Sequence, residues 1–241
     1  LRAHARAGTQ VGPAENITTA VPAIATPEHI KAAETATREL NAGYLTVMLE
    51  GRYTDAFLEK AGADAPHFTP EDLKIISSPV DFVGINVYMP NEYALATDQA
   101  PGYTLLPFNA SHPRMASPWH RMGPEAIYWA PRHLRSLWNV PNIYITENGC
   151  GASDTLAADG TVTDTDRIMF MRAYLTQLQR ATAEGIPVRG YFHWSLMDNF
   201  EWSGGYGTRF GLVHVDYATQ RRTPKLSASF YRDVIAANRV L

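Results

Sequence analysis

Glu147 closes the segment Ile143-Tyr144-Ile145-Thr146-Glu147-Asn148-Gly149, in which four strand-forming residues carry one carboxylate to the end of a strand before Asn-Gly turns the chain away. A carboxylate there is placed for nucleophilic or acid–base work, because (β/α) architectures build their active sites at the carboxyl ends of strands. It serves equally to cap a helix or to pair with an arginine, and the local pattern alone weighs the two alternatives evenly. The second chemically dense segment is Gly190-Tyr191-Phe192-His193-Trp194-Ser195-Leu196-Met197-Asp198-Asn199-Phe200-Glu201-Trp202. A pyranose calls for aromatic faces against its C–H surface and for carboxylate or amide oxygens that accept its hydroxyl protons, and Trp194, Glu201 and Trp202 supply that mixture. An isolated Trp more often packs in a core. Glu201, between Phe200 and Trp202, needs a specific polar partner, and a bound sugar is one.

The elements that must position these residues follow from capping signals and periodicity. The opening Leu1-Arg2-Ala3-His4-Ala5-Arg6-Ala7-Gly8 reads as the tail of a helix, with polypeptide expected upstream. A short strand is expected within residues 10–20. Thr26-Pro27-Glu28 then combines an N-cap, a first-turn Pro and an acid at the positive end of the helix dipole, which predicts a helix to about residue 40. The following stretch reads as irregular until Thr69-Pro70-Glu71-Asp72, a second helix start, which leads through Leu73, Ile75 and Ile76 to the strand Asp81-Phe82-Val83-Gly84-Ile85-Asn86-Val87-Tyr88. A helix feeding an apolar strand points to a parallel sheet.

Residues 89–121, rich in Pro, Asn, Tyr and His without periodicity, are expected to form a long functional loop near a binding site. Residues 125–138 read as a helix that Pro131 bends or restarts, followed by a strand over 143–146. Thr163-Asp164-Thr165-Asp166 starts a helix with Met171, Tyr174, Leu175, Leu178 and Ala181 at helical spacing, ending near Gly185, and a strand follows over 188–194. Leu226, Phe230, Tyr231, Val234 and Ile235 mark a last helix. Such alternation, without the short hairpins of an all-β protein, is α/β, either doubly wound or part of a (β/α) barrel. Four units are too few to close eight strands. No repeat or linker divides the chain, so residues 1–241 are expected to form one structural unit.

Composition narrows the partners. The net charge is -3, from 21 basic and 24 acidic residues, with no basic run to track a phosphate backbone, so nucleic acid is not an expected partner. No stretch approaches the roughly 20 apolar residues of a membrane span, and Leu1 onward has neither the charged start nor the apolar run of a signal peptide, so the cytoplasm is the expected compartment. Cys150 is the only cysteine, which excludes an internal disulfide and a cysteine metal cage. Without a cationic neighbour in sequence, it reads as a small packing residue rather than a reactive thiol. Asn16-Ile17-Thr18 and Asn109-Ala110-Ser111 match the glycosylation triplet, a pattern common by chance.

The chain resembles the C-terminal half of the family 1 glycoside hydrolases, the retaining β-glucosidases. Five segments carry the resemblance in the family's order: residues 81–88, Ile145-Thr146-Glu147-Asn148-Gly149, residues 190–202, Gly205-Tyr206-Gly207-Thr208-Arg209-Phe210-Gly211, and Arg222 through Lys225 to Ser227. The resemblance implies a (β/α)8 barrel of which this chain holds strands five to eight. It implies that Glu147 is the nucleophile and that Tyr88 bonds it, with Asn86 near the sugar 2-hydroxyl and the acid/base. Trp194 and Glu201 would bind hydroxyls of the non-reducing sugar, Trp202 would bind or stack on the same unit, and Phe210 would wall the pocket. Trp119 lies about one residue from the family's platform for the leaving group. No cofactor and no metal are implied. The expected substrate is a β-glucoside or cello-oligosaccharide.

Two departures matter. The family often has Asn-Tyr-Tyr where this chain has Asn86-Val87-Tyr88, a change confined to the middle residue. Retaining hydrolysis needs a second carboxyl group roughly 5 to 5.5 Å from the nucleophile, which the family carries in an Asn-Glu-Pro motif absent from this sequence; Asn91-Glu92 lacks the Pro and follows a different strand. The acid/base is therefore expected from a complementary N-terminal half, as a separate chain or segment. Relatives that act on 6-phosphorylated sugars usually lack the Glu found at 201, which points to unphosphorylated substrates. An incomplete half-barrel that binds sugar or assembles with a partner is the alternative expectation, and an endo-glucanase on the same barrel a lesser one.

Overall fold

The computed structural model describes residues 2–241. The chain runs through β1 (Ala14–Asn16), β2 (Ala20–Pro22), α1 (Pro27–Leu40), α2 (Val47–Glu50), α3 (Asp55–Ala61), α4 (Pro70–Ile76), β3 (Val83–Asn86), β4 (Glu92–Ala96) and β5 (Tyr103–Leu106). It continues through α5 (Ala126–Trp138), β6 (Ile143–Asn148), α6 (Thr165–Ala183), β7 (Val188–His193), β8 (Val213–Val215), β9 (Arg222–Pro224) and α7 (Leu226–Ala237).

Four strands pair in the order β1-β3-β6-β7, all parallel. Their apolar residues are the reason: Val83, Ile85, Ile143 and Ile145 are buried in one cluster with Ile127 and Leu134 of α5 and Phe170, Met171 and Tyr174 of α6. Fully burying one such side chain stabilises by about 1.5–3 kcal/mol, and strands covered by helices read as apolar runs rather than alternations. The register shifts at the start of β6, between Ile143 and Tyr144, and at two further places, between Ile85 and Asn86 and between Ile145 and Asn148. The latter two fall at the carboxyl ends of the strands, where a bulge re-aims side chains.

The caps explain where helices begin. Thr69 accepts from the Asp72 amide while Asp72 accepts from the Thr69 amide, a complete capping box. Thr26 has the extended conformation of an N-cap, but its hydroxyl lies 3.0 Å from His29 Nδ1 and makes no cap bond.

Several expectations need correction. The opening residues form an exposed single turn, Arg2–His4, whose Arg2 pairs with Asp81 at 2.8 Å. Residues 41–68, expected to be irregular, hold a π-helical turn (Ala42–Thr46), α2 and α3; Leu45 is fully buried there, so tertiary packing orders a segment too short to show periodicity. The long loop contains the antiparallel pair β4 and β5, with β2 adding to β4. A second hairpin joins β8 and β9. These ribbons owe their order to each other rather than to an alternating pattern, which is why the sequence reading found no hairpins. Of the two expectations for Pro131, a bend or a restart, the restart is absent: α5 runs unbroken from Ala126 to Trp138. The interior Pro costs about 3 kcal/mol, offset by burial of Pro131 and its neighbours Tyr128, Trp129, Ala130 and Leu134.

Candidate active site

At the carboxyl ends of β1, β3, β6 and β7 lies a cavity of about 650 Å³ lined by Asn86, Tyr88, Trp119, Glu147, Trp194, Glu201, Trp202 and Phe210. All eight side chains singled out in the sequence therefore line one cavity. The size lies within the range of small-molecule sites.

Glu147 is the penultimate residue of β6, which runs to Asn148, two residues beyond the expected strand end. Its carbonyl accepts from the Val87 amide at 2.9 Å, and Asn148 Nδ2 donates to the Val87 carbonyl at 2.7 Å, so backbone and side chain tie the end of β6 to the segment after β3. Tyr88 then donates its hydroxyl to Glu147 Oε2 at 2.7 Å. Burial and the facing carboxylate push the Tyr88 phenol far above its ordinary pKa, so it remains a donor. Asn86 accepts from Thr146 Oγ1 at 2.7 Å, which fixes its carbonyl oxygen and leaves its amide N–H groups for another partner.

Gly149 follows the strand, and its use is close approach rather than an unusual turn. A Cβ at this position would lie 1.9 Å from the Trp194 carbonyl oxygen. Only glycine lets the ends of β6 and β7 come together, where the Trp194 amide bonds the Asn148 carbonyl at 2.9 Å. Trp194 Nε1 donates to Glu201 Oε1 at 3.1 Å. Burial, together with the Glu147 charge, raises the Glu201 pKa against the opposing effect of that indole bond. Glu201 is held at its backbone by reciprocal bonds with Gly205. Trp202 stands at the rim, 95% exposed, and Trp119 is 46% exposed, whereas Phe210 is buried behind them.

A buried charge network supports the loop that carries Glu201. Lys225 donates to Asp154 at 2.5 Å and Asp198 at 2.7 Å, Arg209 pairs with Asp198 at 2.5 Å, and Arg167 pairs with Asp154 at 2.8 Å and with Asp164. The network joins the segment after β6, the start of α6, the loop after β7 and the start of α7. Gly211 accommodates it: its amide donates to Asp198 Oδ1 at 3.0 Å, and a Cβ would lie 2.1 Å from the Asp198 nitrogen. Burial works against the Asp154 charge, but Arg167 and Lys225 outweigh it and hold its pKa below the ordinary value.

Sequence reading missed Asn16, Ile17, Thr18, Met89 and Asn91, which also line the cavity. Their signal is position alone, at or beyond the carboxyl ends of β1 and β3 of the parallel sheet, and in the sequence Asn16-Ile17-Thr18 matches only a glycosylation triplet. Cys150 is fully buried, and burial pushes its thiol up to about 12, so it packs rather than reacts. Among the described residues no cluster of His, Cys, Asp or Glu could hold a metal ion, and no helix is long and apolar enough to cross a membrane.

A sequence model of glycosyl hydrolase family 1 matches residues 1–240. The chain is 37% identical to beta-glucosidase A of Thermotoga maritima over 195 residues, 81% of this chain and 43% of that protein. It is 36% identical to beta-glucosidase A of Acetivibrio thermocellus over 236 residues, 95% of this chain and 52% of that protein. The family 1 β-glucosidase of Thermotoga maritima, solved in complex with isofagomine lactam, superposes with a TM-score of 0.78 at 33% identity, covering 97% of this chain and 52% of that one. The same enzyme with glucoimidazole gives 0.78 at 34% identity, over 96% and 52%. The chain thus spans about half the length of these relatives, and its four parallel strands are about half of a (β/α)8 barrel. A match from the first residue to the penultimate one, on the backbone of solved members, means that the chain belongs to glycosyl hydrolase family 1.

Proposed function

We propose that these 241 residues are one half of a single barrel domain that hydrolyses β-glucosides with retention, and that Glu147 is its nucleophile. The observation that carries the reading is the 2.7 Å bond from Tyr88 to a strand-end carboxylate that faces a cavity walled by Trp194 and Glu201. One Glu147 oxygen is held by the phenol, and the other is free of side-chain bonds to attack the anomeric carbon. As the C1–O bond breaks, the leaving oxygen takes a proton from a general acid, and a glycosyl ester forms on Glu147. Water then attacks C1, gives its proton to the same group, and releases Glu147.

Glu147 and Glu201 are the carboxylates lining the cavity, and Glu201 already accepts the Trp194 indole N–H. That pairing suits a sugar-hydroxyl acceptor, so the acid/base is assigned to polypeptide outside these residues, consistent with relatives about twice as long. A carboxylate at 201 repels a phosphate group, which favours unphosphorylated glucosides and cello-oligosaccharides. The test is turnover of a nitrophenyl glycoside panel by the assembled enzyme: Glu147→Ala is expected to abolish hydrolysis, and azide is expected to restore release of nitrophenol through an α-glycosyl azide. Unchanged turnover in that variant would refute the assignment.

A second reading is favoured by one observation, the apolar surface beside the edge strand β7. Phe192 and Phe200 are each 58% exposed and Trp202 95%. Open edges and exposed aromatics recruit another chain, so the isolated chain is expected to self-associate or to capture a complementary half. Sedimentation velocity checks this; a monodisperse monomer contradicts it.

A further inference from the structure

His120 is fully buried between the cavity wall and the residue that holds Glu147. Its ring lies parallel to Trp119, with centroids 4.8 Å and planes 7° apart, and meets Tyr88 edge-on at 6.0 Å. Phe170 meets the same imidazole edge-on at 5.4 Å from the core. His120 Nε2 lies 2.9 Å from the Tyr88 carbonyl oxygen, which also accepts the Tyr174 hydroxyl at 2.8 Å. A carbonyl can only accept, so this contact requires the Nε2–H form. Nδ1 is buried without a partner. The backbone around the ring is also pinned, by the His120 amide on the Ser117 carbonyl at 3.0 Å and the Met115 amide on the His120 carbonyl at 2.9 Å.

We propose that His120 is a positioning residue with two separable jobs: its ring face sets the orientation of Trp119, and its Nε2–H fixes the Tyr88 backbone and so the hydroxyl on Glu147. The inference rests on the reading of Glu147 as nucleophile and of Trp119 as the wall for the leaving group. Burial holds the imidazole down at about 4, so it stays neutral and keeps one ring proton near neutral pH.

Two variants divide the jobs. His120→Phe keeps a flat ring against Trp119 and loses the donor; His120→Gln keeps a donor within reach of the Tyr88 carbonyl and loses the ring. On the chain itself, NMR of labelled tyrosine, assigned with Tyr88→Phe, is expected to show the Tyr88 hydroxyl proton exchanging about tenfold faster in His120→Phe than in wild type or His120→Gln, the size of one lost hydrogen bond. In the assembled enzyme, His120→Phe is expected to lower kcat about tenfold at nearly constant KM for aryl glucosides. His120→Gln is expected to raise that KM about fivefold while inhibition by glucose, which has no leaving group, stays as in wild type. Should His120→Phe fail to fold, Tyr174→Phe removes the other bond to the same carbonyl and is expected to speed exchange in the same direction. Equal changes in both variants, or a Tyr88 hydroxyl indifferent to His120→Phe and Tyr174→Phe, would overturn the proposal. Absence of glycoside turnover by wild type in every assembly would instead refute the nucleophile reading, with the exchange measurement still deciding the coupling.

Discussion

Tyr88 and Glu147 form the smallest unit in which the proposed chemistry resides. A neutral phenol on one carboxylate oxygen orients the group without removing its charge, because burial and the facing Glu147 keep the phenol protonated. Tyr88→Phe keeps the ring, its edge-on packing against Trp119 and Phe210, and the local backbone, and deletes the donor. A hydrogen bond to a charged group contributes about 1.5–3 kcal/mol. The assembled enzyme is therefore expected to lose about 10- to 100-fold in kcat/KM, read with a nitrophenyl glucoside, while thermal stability changes little. A change below twofold would show that the phenol does not hold the nucleophile. The pairing itself was legible from sequence only through family resemblance. Fifty-nine positions separate the two residues, and no local pattern reports a contact across parallel strands.

At the scale of elements, the ends of β6 and β7 are brought together by backbone bonds and by Gly149, whereas the loop after β7 depends on charge, with Gly211 making room for Asp198. Lys225 is fully buried against Asp154 and Asp198. Lys225→Met keeps the volume and leaves both carboxylates short of a partner, and breaking such a buried pair costs about 3–5 kcal/mol. The expected outcome is a fall in unfolding free energy of that size, read from urea titration, partly recovered when Asp198→Asn is added, because the second change removes an uncompensated charge. If the double variant is no more stable than the single one, the pair is not the source of the loss. The network also has a pH signature. The Asp154 pKa is depressed in the folded chain, so its stabilisation is present above the ordinary aspartate range and is lost as pH falls through the folded value. None of this was legible in the sequence: Asp154, Arg167, Asp198, Arg209 and Lys225 are ordinary surface types, and only the packing of four loops makes them interior.

Across the whole molecule, buried histidines set the first response to acid. His120 and His133 are fully buried, each with Nε2 2.9 Å from a backbone carbonyl, and burial lowers each imidazole to about 4 from an ordinary 6.5. The unfolded chain binds protons between pH 6.5 and about 4 that the folded chain does not. Stability is thus fully present above that window and declines as pH falls through it, by up to ~1.4 kcal/mol per pH unit for each histidine. Urea midpoints between pH 7.5 and 4.5 check this, with His133→Gln expected to flatten the profile. A midpoint constant across that range would mean that neither imidazole stays neutral on folding. At this scale, too, the edge strands β1 and β7 make assembly part of the proposed function rather than an accessory to it.

By itself the sequence determined the α/β class, the parallel strands around Val83, Ile85, Ile143 and Ile145, the helices with strong caps or apolar stripes, and the identity of all eight singled-out side chains in the cavity. The strands and helices are local, or repeat within one element, so a linear pattern records them; of the eight side chains, Glu147, Trp194, Glu201 and Trp202 stand out locally, whereas Asn86, Tyr88, Trp119 and Phe210 enter only through the family resemblance. Tertiary structure decided the rest. The helices between residues 41 and 68 and the two hairpins are stable only against neighbours, and Pro131 is tolerated because its surroundings are buried. Asn16, Asn91 and His120 acquire their places from strands far away in the chain. Glu147 is a strand-end carboxylate in the sequence; the 2.7 Å bond from Tyr88 and the close approach at Gly149 come only from folding, because they depend on the relative position of three separate strands.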